Sequence, residues 1–134
     1  MRGDPFIDTN VLVYFTGEGE KAATAEALIV QGGTVSVQVL NEMALVCRRK
    51  YDYSWEQIRQ ALLFVRTLVN VVPITLDTHE LGLALAERYR LRLFDSFLLA
   101  AALLEGCSIF WSEDMQEGLV VEQTMTIRNP FNLA

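Results

Sequence analysis

Residues 6–15 read FIDTNVLVYF, and this stretch places three polar residues, Asp8, Thr9 and Asn10, between two apolar segments. The apolar residues before Asp8 predict a short buried strand, and those after Asn10 predict the start of a helix. Asp, Thr and Asn can each cap a helix by accepting a hydrogen bond from its first free backbone N–H groups. A cap needs only one of the three residues. The remainder of the chain therefore decides whether Asp8 is only a cap or also part of a metal site.

The rest of the sequence alternates strand-like and helix-like segments. Two capping-box patterns, Ser54 with Gln57 and Asp77 with Glu80, open helices in the middle of the chain. Strands are predicted at residues 5–8, 34–37, 71–75, 108–111 and 124–127, and helices at residues 10–15, 20–30, 39–51, 54–68, 77–91 and 95–105. Strands joined through helices imply right-handed crossovers and a parallel sheet covered on both faces. We therefore predict an α/β fold with a mostly parallel sheet of about five strands, in a single domain over residues 1–134.

The composition indicates a protein with a partner and without a broad basic surface. Hydrophobic residues make up 51% of the chain and the mean hydropathy is +0.24, so we expect a partner or a second copy to cover part of the surface. The formal net charge of −6 argues against nucleic-acid binding through a broad basic surface. A phosphate-bearing substrate would instead need metal ions or local cation clusters. Two clusters occur, which could equally be solvated helix ends: Arg48, Arg49 and Lys50, and Arg88, Arg90 and Arg92.

Neither a membrane span nor a cysteine site is predicted. The longest apolar run, residues 97–104, is far shorter than the roughly 20 residues that a transmembrane helix needs. Cys47 and Cys107 stand far apart without a neighbouring Cys or His, which argues against a zinc site or a redox pair. We expect a cytoplasmic protein with reduced thiols.

Four acids fall near one edge of the predicted sheet. Asp8 follows the first strand, Asp114 follows the fourth, Glu42 lies early in a helix, and Asp95 opens an apolar helix. Two carboxylates repel by roughly 4 kcal/mol when about 4 Å apart at an effective dielectric constant of about 20, so convergence would require divalent cations. Carboxylates and water are the ligands of Mg²⁺ or Mn²⁺. Two such ions about 4 Å apart can activate a water and stabilise the leaving oxygen of a phosphodiester.

Each acid also has a simpler explanation. Asp95 could be only a helix N-cap, and Glu42 could be an ordinary residue on a helix surface. Asp114 could be a turn residue, and the adjacent Glu113 is an alternative candidate for its role. The residues taken one by one leave both interpretations open. The single histidine, His79, is expected at the surface rather than as a general base.

Five motifs occur in an order that resembles a known family. They are FIDTNVLVY at the start, the pair Asn41-Glu42, LRLFDSFLLAAALLEGC at residues 91–107, FWSEDMQEG at residues 110–118, and NPF at residues 129–131. Together they resemble the PIN-domain ribonucleases, and most closely the VapC-type toxins of prokaryotic toxin–antitoxin modules. The resemblance covers essentially the whole chain. One departure is Phe94, because many relatives have Trp directly before the third acid.

The resemblance implies a three-layer α/β/α domain that forms a homodimer and cleaves single-stranded or looped RNA with Mg²⁺ or Mn²⁺. It also implies an antitoxin whose C-terminal segment covers an apolar groove and inserts a basic side chain into the acidic pocket. By the same resemblance, the catalytic and metal-binding acids are Asp8, Glu42, Asp95 and Asp114, and the supporting polar residues are Asn10, Ser112 and, as a weaker match, Thr9. Arg48, Arg49 and Lys50 are the candidates for contacts with substrate phosphates.

Two other functional classes make different demands on the sequence. A non-catalytic interaction module with this fold would have no affinity for divalent cations beyond weak surface binding. A receiver-like phosphoacceptor domain would need a second acid near the first strand and a Lys after a later strand. The only lysines, Lys21 and Lys50, do not have that placement, which disfavours the receiver hypothesis.

Overall fold

A computed structural model describes residues 4–132 of the chain, so the predicted domain limits at residues 1 and 134 lie outside the described residues. The described residues form one sheet whose strands are β1 (Phe6–Ile7), β2 (Thr34–Ser36), β3 (Asn70–Val72), β4 (Ile109–Trp111), β5 (Val120–Val121) and β6 (Met125–Arg128). The strands lie in the order β3-β2-β1-β4-β6-β5, and every neighbouring pair is parallel except β5 with β6. The predicted α/β architecture with a mostly parallel sheet is confirmed.

The helices connect the parallel strands. They are α1 (Thr9–Phe15), α2 (Glu20–Gln31), α3 (Val37–Arg49), α4 (Trp55–Leu68), α5 (Leu76–Tyr89) and α6 (Leu93–Leu104), and a short 3₁₀ turn, Pro130–Asn132, ends the described chain. Helix α1 packs on α2 and α3, α3 packs on α4, and α5 packs on α6. Because crossovers are right-handed, helices leading from β1 to β2 and β3 lie on one face, and α5 and α6, leading back to β4, lie on the other.

The core lies between these helices and the central strands. Phe6 on β1 and Phe110 on β4 are fully buried, and their rings stack with centroids 5.0 Å apart. Helix α6 contributes the apolar run, with Leu98, Leu99 and Ala102 all buried. Burying this run on the sheet fixes the rotation of α6 about its axis, and hence the direction in which Asp95 faces.

Three details of the sequence prediction are corrected by the structure. A sixth strand, β5, pairs antiparallel with β6; it has only two residues, too few to show a periodic pattern. Helix α5 is capped by Thr75 with Thr78 rather than by Asp77 with Glu80, because Thr75 is the last residue with extended backbone. Helix α6 begins after Arg92, so Asp95 lies in the first helical turn and is not its N-cap.

One of the two predicted capping boxes agrees with the structure. Ser54 and Gln57 form the reciprocal capping box that opens α4. Within residues 4–132, no helix is long and apolar enough to cross a lipid bilayer. Cys47 and Cys107 are free and buried, and burial raises the pKa of the Cys107 thiol to about 11, so this thiol stays protonated at neutral pH.

Candidate active site

Asp8 lies where β1 ends and α1 begins, and it is the buried centre of the acidic cluster. Only 5% of the residue is exposed. It caps α1, because its Oδ1 accepts a hydrogen bond of 2.6 Å from the backbone N–H of Thr9. Its Oδ2 accepts a 2.8 Å bond from the Ser112 hydroxyl and a 3.0 Å bond from the Asn10 amide. Capping and membership of the acidic cluster are therefore compatible roles.

Asn10 and Ser112 link the carboxyl ends of β1 and β4. The Asn10 side-chain nitrogen lies 3.3 Å from both the Ser112 hydroxyl oxygen and the Asp114 carboxylate. Its side-chain oxygen accepts a 3.0 Å bond from the backbone N–H of Glu113. The Ser112 hydroxyl oxygen also accepts from the backbone N–H of Asp114, at 3.2 Å. This network holds the loop that carries Asp114 against the start of α1.

Glu42 joins the cluster from α3, where it lies on the turn that faces α1. Its Oε1 accepts a 2.8 Å bond from the Thr9 hydroxyl, and its Oε2 accepts a 3.0 Å bond from Gln38. Gln38 also donates to the backbone carbonyl of Phe94 at 2.9 Å, which connects α3 to the start of α6. Thr9 is thus a direct partner of Glu42, and the next residue, Asn10, is a direct partner of Asp8.

A single cavity collects all four predicted acids. Asp8, Glu42, Asp95 and Asp114 line a space of about 600 Å³, together with Thr9 and Asn10. Asp95 reaches it from the first turn of α6 and is half-buried. The four acids that the sequence places near one edge of the sheet therefore line the same cavity. Ser112 lies beneath them and is fully buried.

The carboxylates are held in an environment that disfavours their charged form. Burial raises the pKa of the Asp8 carboxyl to about 7, and the nearby charges of Asp95 and Glu42 add to the rise, whereas hydrogen bonds from Ser112 and Thr9 oppose it. Burial also raises the pKa of Asp95; the Arg92 guanidinium lowers it, and Glu42 and Asp114 raise it further. A cation in the cavity would relieve both penalties.

Glu113 points to a separate cluster at the rim of the cavity. Its carboxylate accepts a 2.7 Å bond from the Tyr14 hydroxyl and a 2.5 Å bond from the Lys21 ammonium. Burial acts to raise the pKa of Glu113, but the bonds from Lys21 and Tyr14 outweigh it, so the pKa is lowered. The Lys21 ammonium also lies 5.3 Å from the centroid of the Phe131 ring, within the terminal NPF motif. Glu113 is thus neutralised by Lys21, whereas Asp114 faces Asn10.

The cationic residues near the cavity differ from those expected. Of the predicted cluster, Lys50 lines the cavity, whereas Arg48 and Arg49 are not among the lining residues. Arg48 instead donates to the backbone carbonyl of Tyr53 at 2.9 Å. Arg92 lines the cavity beside Asp95. Arg92 belongs to the second cation cluster of the sequence, together with Arg88 and Arg90.

Sequence reasoning also missed Tyr14, Lys21 and Gln38. Tyr14 is four residues after Asn10, so helical periodicity puts the two on one face of α1 and could have identified it. Gln38 is likewise four residues before Glu42 on α3. Lys21 had no such signal, because it reaches Glu113 only through the packing of α2 on α1.

The donor set fits a hard divalent cation. All four acids present oxygen atoms to one cavity, the ligand type that Mg²⁺ and Mn²⁺ prefer, and thiol and imidazole ligands are not among the lining residues. In the described chain no three His, Cys, Asp or Glu side chains already form a close ligand set. The carboxylates of Asp8 and Glu42 are held by hydrogen bonds from Ser112, Asn10 and Thr9.

This geometry defines a class of protein, a parallel α/β domain with an acidic pocket where the order of its strands reverses. A family model, the PIN domain, matches residues 6–116. The chain therefore belongs to the PIN-domain family. No curated protein matches it in sequence.

Several solved structures share the fold, and three of them illustrate the similarity to this chain. A toxin–antitoxin complex from Klebsiella pneumoniae matches with a TM-score of 0.73 and 23% identity, over 96% of this chain and 99% of that chain. VapC20 from Mycobacterium tuberculosis, a Sarcin-Ricin loop cleaving toxin, matches with a TM-score of 0.68 and 20% identity, over 82% and 91% of the two chains. VapBC2 from Rickettsia felis, bound to a DNA fragment from its promoter, matches with a TM-score of 0.69 and 15% identity, over 93% of this chain and 97% of that chain.

Proposed function

We propose that this protein is a Mg²⁺- or Mn²⁺-dependent endoribonuclease that acts in the cytoplasm as the toxin of a toxin–antitoxin pair. The observation that carries the proposal is the convergence of Asp8, Glu42, Asp95 and Asp114 on one cavity of a PIN domain. Four acids brought together in this way are costly for a protein that does not use them with cations.

The proposed roles follow from the contacts of each side chain. Asp8, Glu42, Asp95 and Asp114 would hold the divalent ions, which when bound supply a nucleophilic water and charge stabilisation at the leaving oxygen. Thr9 orients Glu42 through its hydroxyl. Asn10 and Ser112 orient Asp8 and Asp114 through their hydrogen bonds. Such supporting partners fix the direction of a ligand carboxylate before an ion arrives.

An RNA substrate is supported by the cleaving activity named for one structural relative and by the cations at this cavity. VapC20 is described as a toxin that cleaves the Sarcin-Ricin loop. Lys50 and Arg92 line the acidic cavity here, where they can contact phosphates on either side of the cleaved bond. Because the chain carries a net charge of −6, these two local cations and the metal ions must provide the attraction.

Two protein partners are part of the proposal. Two of the structural relatives are toxin–antitoxin assemblies. The acidic cavity has an apolar border formed by Val13, Leu45 and Val46, which suits an antitoxin segment that combines apolar residues with a basic side chain. A second apolar groove of about 460 Å³ lies between α3, α5 and α6, with Ile74, Phe94 and Phe97 among its lining residues. We assign this groove to the contact between two copies of the chain.

The experiment that tests the activity compares the wild-type protein with Asp8→Asn on a pool of structured RNA in Mg²⁺, in Mn²⁺ and in chelator. We expect divalent-dependent cleavage by the wild type and a loss of more than about 100-fold in the variant, since even residues that only support metal ligands cost about 10- to 100-fold. Asp77→Asn makes the same chemical change at an exposed position on α5 and should leave cleavage unchanged.

Two outcomes would contradict the proposal. Metal-dependent cleavage by Asp8→Asn at the wild-type rate would remove Asp8 from the catalytic centre. A folded wild-type protein that binds neither Mg²⁺ nor Mn²⁺ and cuts no RNA would favour the non-catalytic interaction module.

A further inference from the structure

The wall of the acidic cavity contains an exposed aromatic ring beside an ammonium group. Lys50 and Tyr51 follow the end of α3, and both line the cavity that contains the four acids. Tyr51 is 40% exposed, and the Lys50 ammonium lies 5.9 Å from the centroid of its ring. Tyr51 is one of the exposed large hydrophobic residues and does not belong to the buried core.

The backbone holds this ring in a defined place. The backbone N–H of Tyr53 donates a 3.0 Å bond to the carbonyl of Cys47, which ties the segment after α3 back to the helix. Asp52 adopts a left-handed conformation with φ of 52°, a conformation that Asp tolerates better than most residues. The rings of Tyr51 and the half-buried Tyr53 lie 6.1 Å apart. Tyr51 is therefore presented from an anchored turn.

A second pair of the same kind follows directly. The Arg48 guanidinium lies 4.6 Å from the centroid of the Trp55 ring, and Trp55 is 60% exposed. Residues 48–55 therefore contain two exposed aromatic rings, each with a cation beside it, in a chain whose net charge is −6. Alternation of aromatic rings with cations is the surface chemistry that binds single-stranded nucleic acid, because bases stack on the rings and phosphates meet the cations.

We propose that Tyr51 is a stacking platform for an unpaired base of the RNA next to the cleaved phosphate, and that Lys50 contacts the adjacent phosphate. Trp55 with Arg48 continues the track by one further nucleotide. This inference rests on the proposed ribonuclease function, because it takes the acidic cavity as the place of cleavage. It makes the substrate single-stranded at the site, since bases within a duplex stack on one another and cannot stack on Tyr51.

The first test measures cleavage by Tyr51→Ala and Tyr51→Phe on a single-stranded RNA that the wild type cuts. Removal of the ring should raise KM by about 5- to 150-fold, which corresponds to the usual 1–3 kcal/mol of one base–aromatic stack. Tyr51→Phe keeps the ring and should restore KM to within about twofold, whereas a role of the hydroxyl would not be restored. Phe64→Ala removes an exposed aromatic ring from α4 that does not line the cavity, and should leave KM unchanged.

The second test does not depend on cleavage. A mixed-sequence single-stranded RNA of twelve nucleotides that contains 2-aminopurine is titrated with protein in Ca²⁺, and stacking is read as quenching of its fluorescence. The wild type and Tyr51→Phe should quench, and Tyr51→Ala should not. The same RNA annealed to its complement should bind more weakly. A plot of log affinity against log salt concentration has a negative slope. In Lys50→Gln this slope should become shallower by about 0.7, the amount expected for the loss of one phosphate contact on a single strand.

The two readouts separate the two proposals. Quenching that depends on Tyr51, without cleavage in any divalent ion, would contradict the nuclease and leave the stacking site supported. Cleavage and quenching that are unchanged in Tyr51→Ala would overturn the stacking site and leave the nuclease intact. A Tyr51→Ala protein that binds RNA normally but loses affinity for an antitoxin would also overturn it, because the ring would then belong to the protein interface.

Discussion

At the scale of single residues, Asp8 combines roles that usually oppose one another. It caps α1 and accepts three hydrogen bonds, which favour its charged form, but its burial raises its pKa to about 7. The neighbouring acids add to this rise. The metal-free protein therefore stores unfavourable electrostatic energy at Asp8 when the pH is above neutrality, and a cation would release it.

The pKa of Asp8 predicts how stability changes with pH in the absence of divalent ions. The folded pKa of about 7 is above the ordinary value of 3.8, so the folded state binds more protons between these values and loses stability as the pH rises through 7. Between pH 5 and pH 8 this residue should lower the free energy of unfolding by about 2 to 3 kcal/mol, at about 1.4 kcal/mol per pKa unit.

Urea unfolding in chelator at pH 5 and pH 8 measures this change. Asp8→Asn cannot ionise, so its loss of stability over the same interval should be smaller by the amount that Asp8 contributes. Mg²⁺ added at pH 8 should restore stability to the wild type more than to the variant. An equal pH response in the two proteins would show that Asp8 does not titrate in this range.

At the scale of elements, the close contact between α5 and α6 supports the site. Gly82 on α5 lies against Phe97 on α6: a Cβ atom at residue 82 would stand 2.2 Å from the Phe97 ring and 3.3 Å from its Cα atom. Phe97 also stacks with His79 and meets Phe94 edge-on, with ring centroids 5.7 and 5.8 Å apart. Because α6 carries Asp95 in its first turn, this contact positions an acid as well as a core helix.

Gly82→Ala should destabilise the protein despite the better helix propensity of Ala. The added methyl group must displace Phe97, which costs about 1–3 kcal/mol, whereas the propensity gain is only about 1 kcal/mol. Thermal or urea unfolding measures the net loss. Glu87→Ala, at an exposed position of the same helix, should change stability by less than about 0.5 kcal/mol. A Gly82→Ala protein as stable as the wild type would mean that α5 and α6 separate at little cost.

Element boundaries show where sequence signals are sufficient. Ser54 and Gln57 form their capping box as predicted, because both partners are within one turn and need nothing else. The pattern of Asp77 and Glu80 is the same in sequence but is not used. The chain leaving β3 is still extended at Thr75, so the helix starts there and Asp77 falls in its first turn. The segment thus offers two overlapping cap patterns, one at Thr75 and one at Asp77. The helix uses Thr75 because the extended backbone after β3 ends there.

At the scale of the whole molecule, strand order decides where the acids meet. β1 lies between β2 and β4, so the chain leaves β1 toward one side and returns from β3 to the other. Crevices at such a reversal, at the carboxyl ends of the strands, are where parallel α/β sheets bind ligands. Asp8 and Asp114 follow the two adjacent strands at this point, and helices α3 and α6 bring Glu42 and Asp95 to the same opening.

The exposed groove between α3, α5 and α6 predicts the oligomeric state. Phe94 lines it and is 66% exposed. A wild-type dimer is expected in sedimentation velocity. Phe94→Glu places a carboxylate in the proposed dimer contact, so the dissociation constant of the dimer should rise at least about tenfold, or 1.4 kcal/mol.

Leu104→Glu is the matched control, because it introduces the same charge at an exposed apolar residue at the opposite end of α6. This variant should remain dimeric. A monomeric wild type would contradict the predicted dimer. A Phe94→Glu protein with the same dimer dissociation constant as the wild type would place the contact on a different surface.

The sequence by itself determined the features that depend on near neighbours. The alternation of strands and helices and the cap at Asp8 could be predicted because hydrophobic periodicity and capping act over a few residues. The order of the motifs then predicted the family, which the match over residues 6–116 confirms. Element positions placed four of the 17 acidic residues near one edge of the predicted sheet, and the family resemblance then assigned them as the metal-binding set.

Only the tertiary structure decided the contacts between distant residues. Asn10 meets Ser112 and Lys21 meets Glu113 because β1 pairs with β4 and α2 packs on α1. Lys50 lines the cavity whereas Arg48 turns to Trp55, although the two are separated by a single residue. Such choices depend on strand order and on how each helix is rotated as it buries its apolar face. Both are set by packing across the whole molecule and leave no local pattern in the sequence.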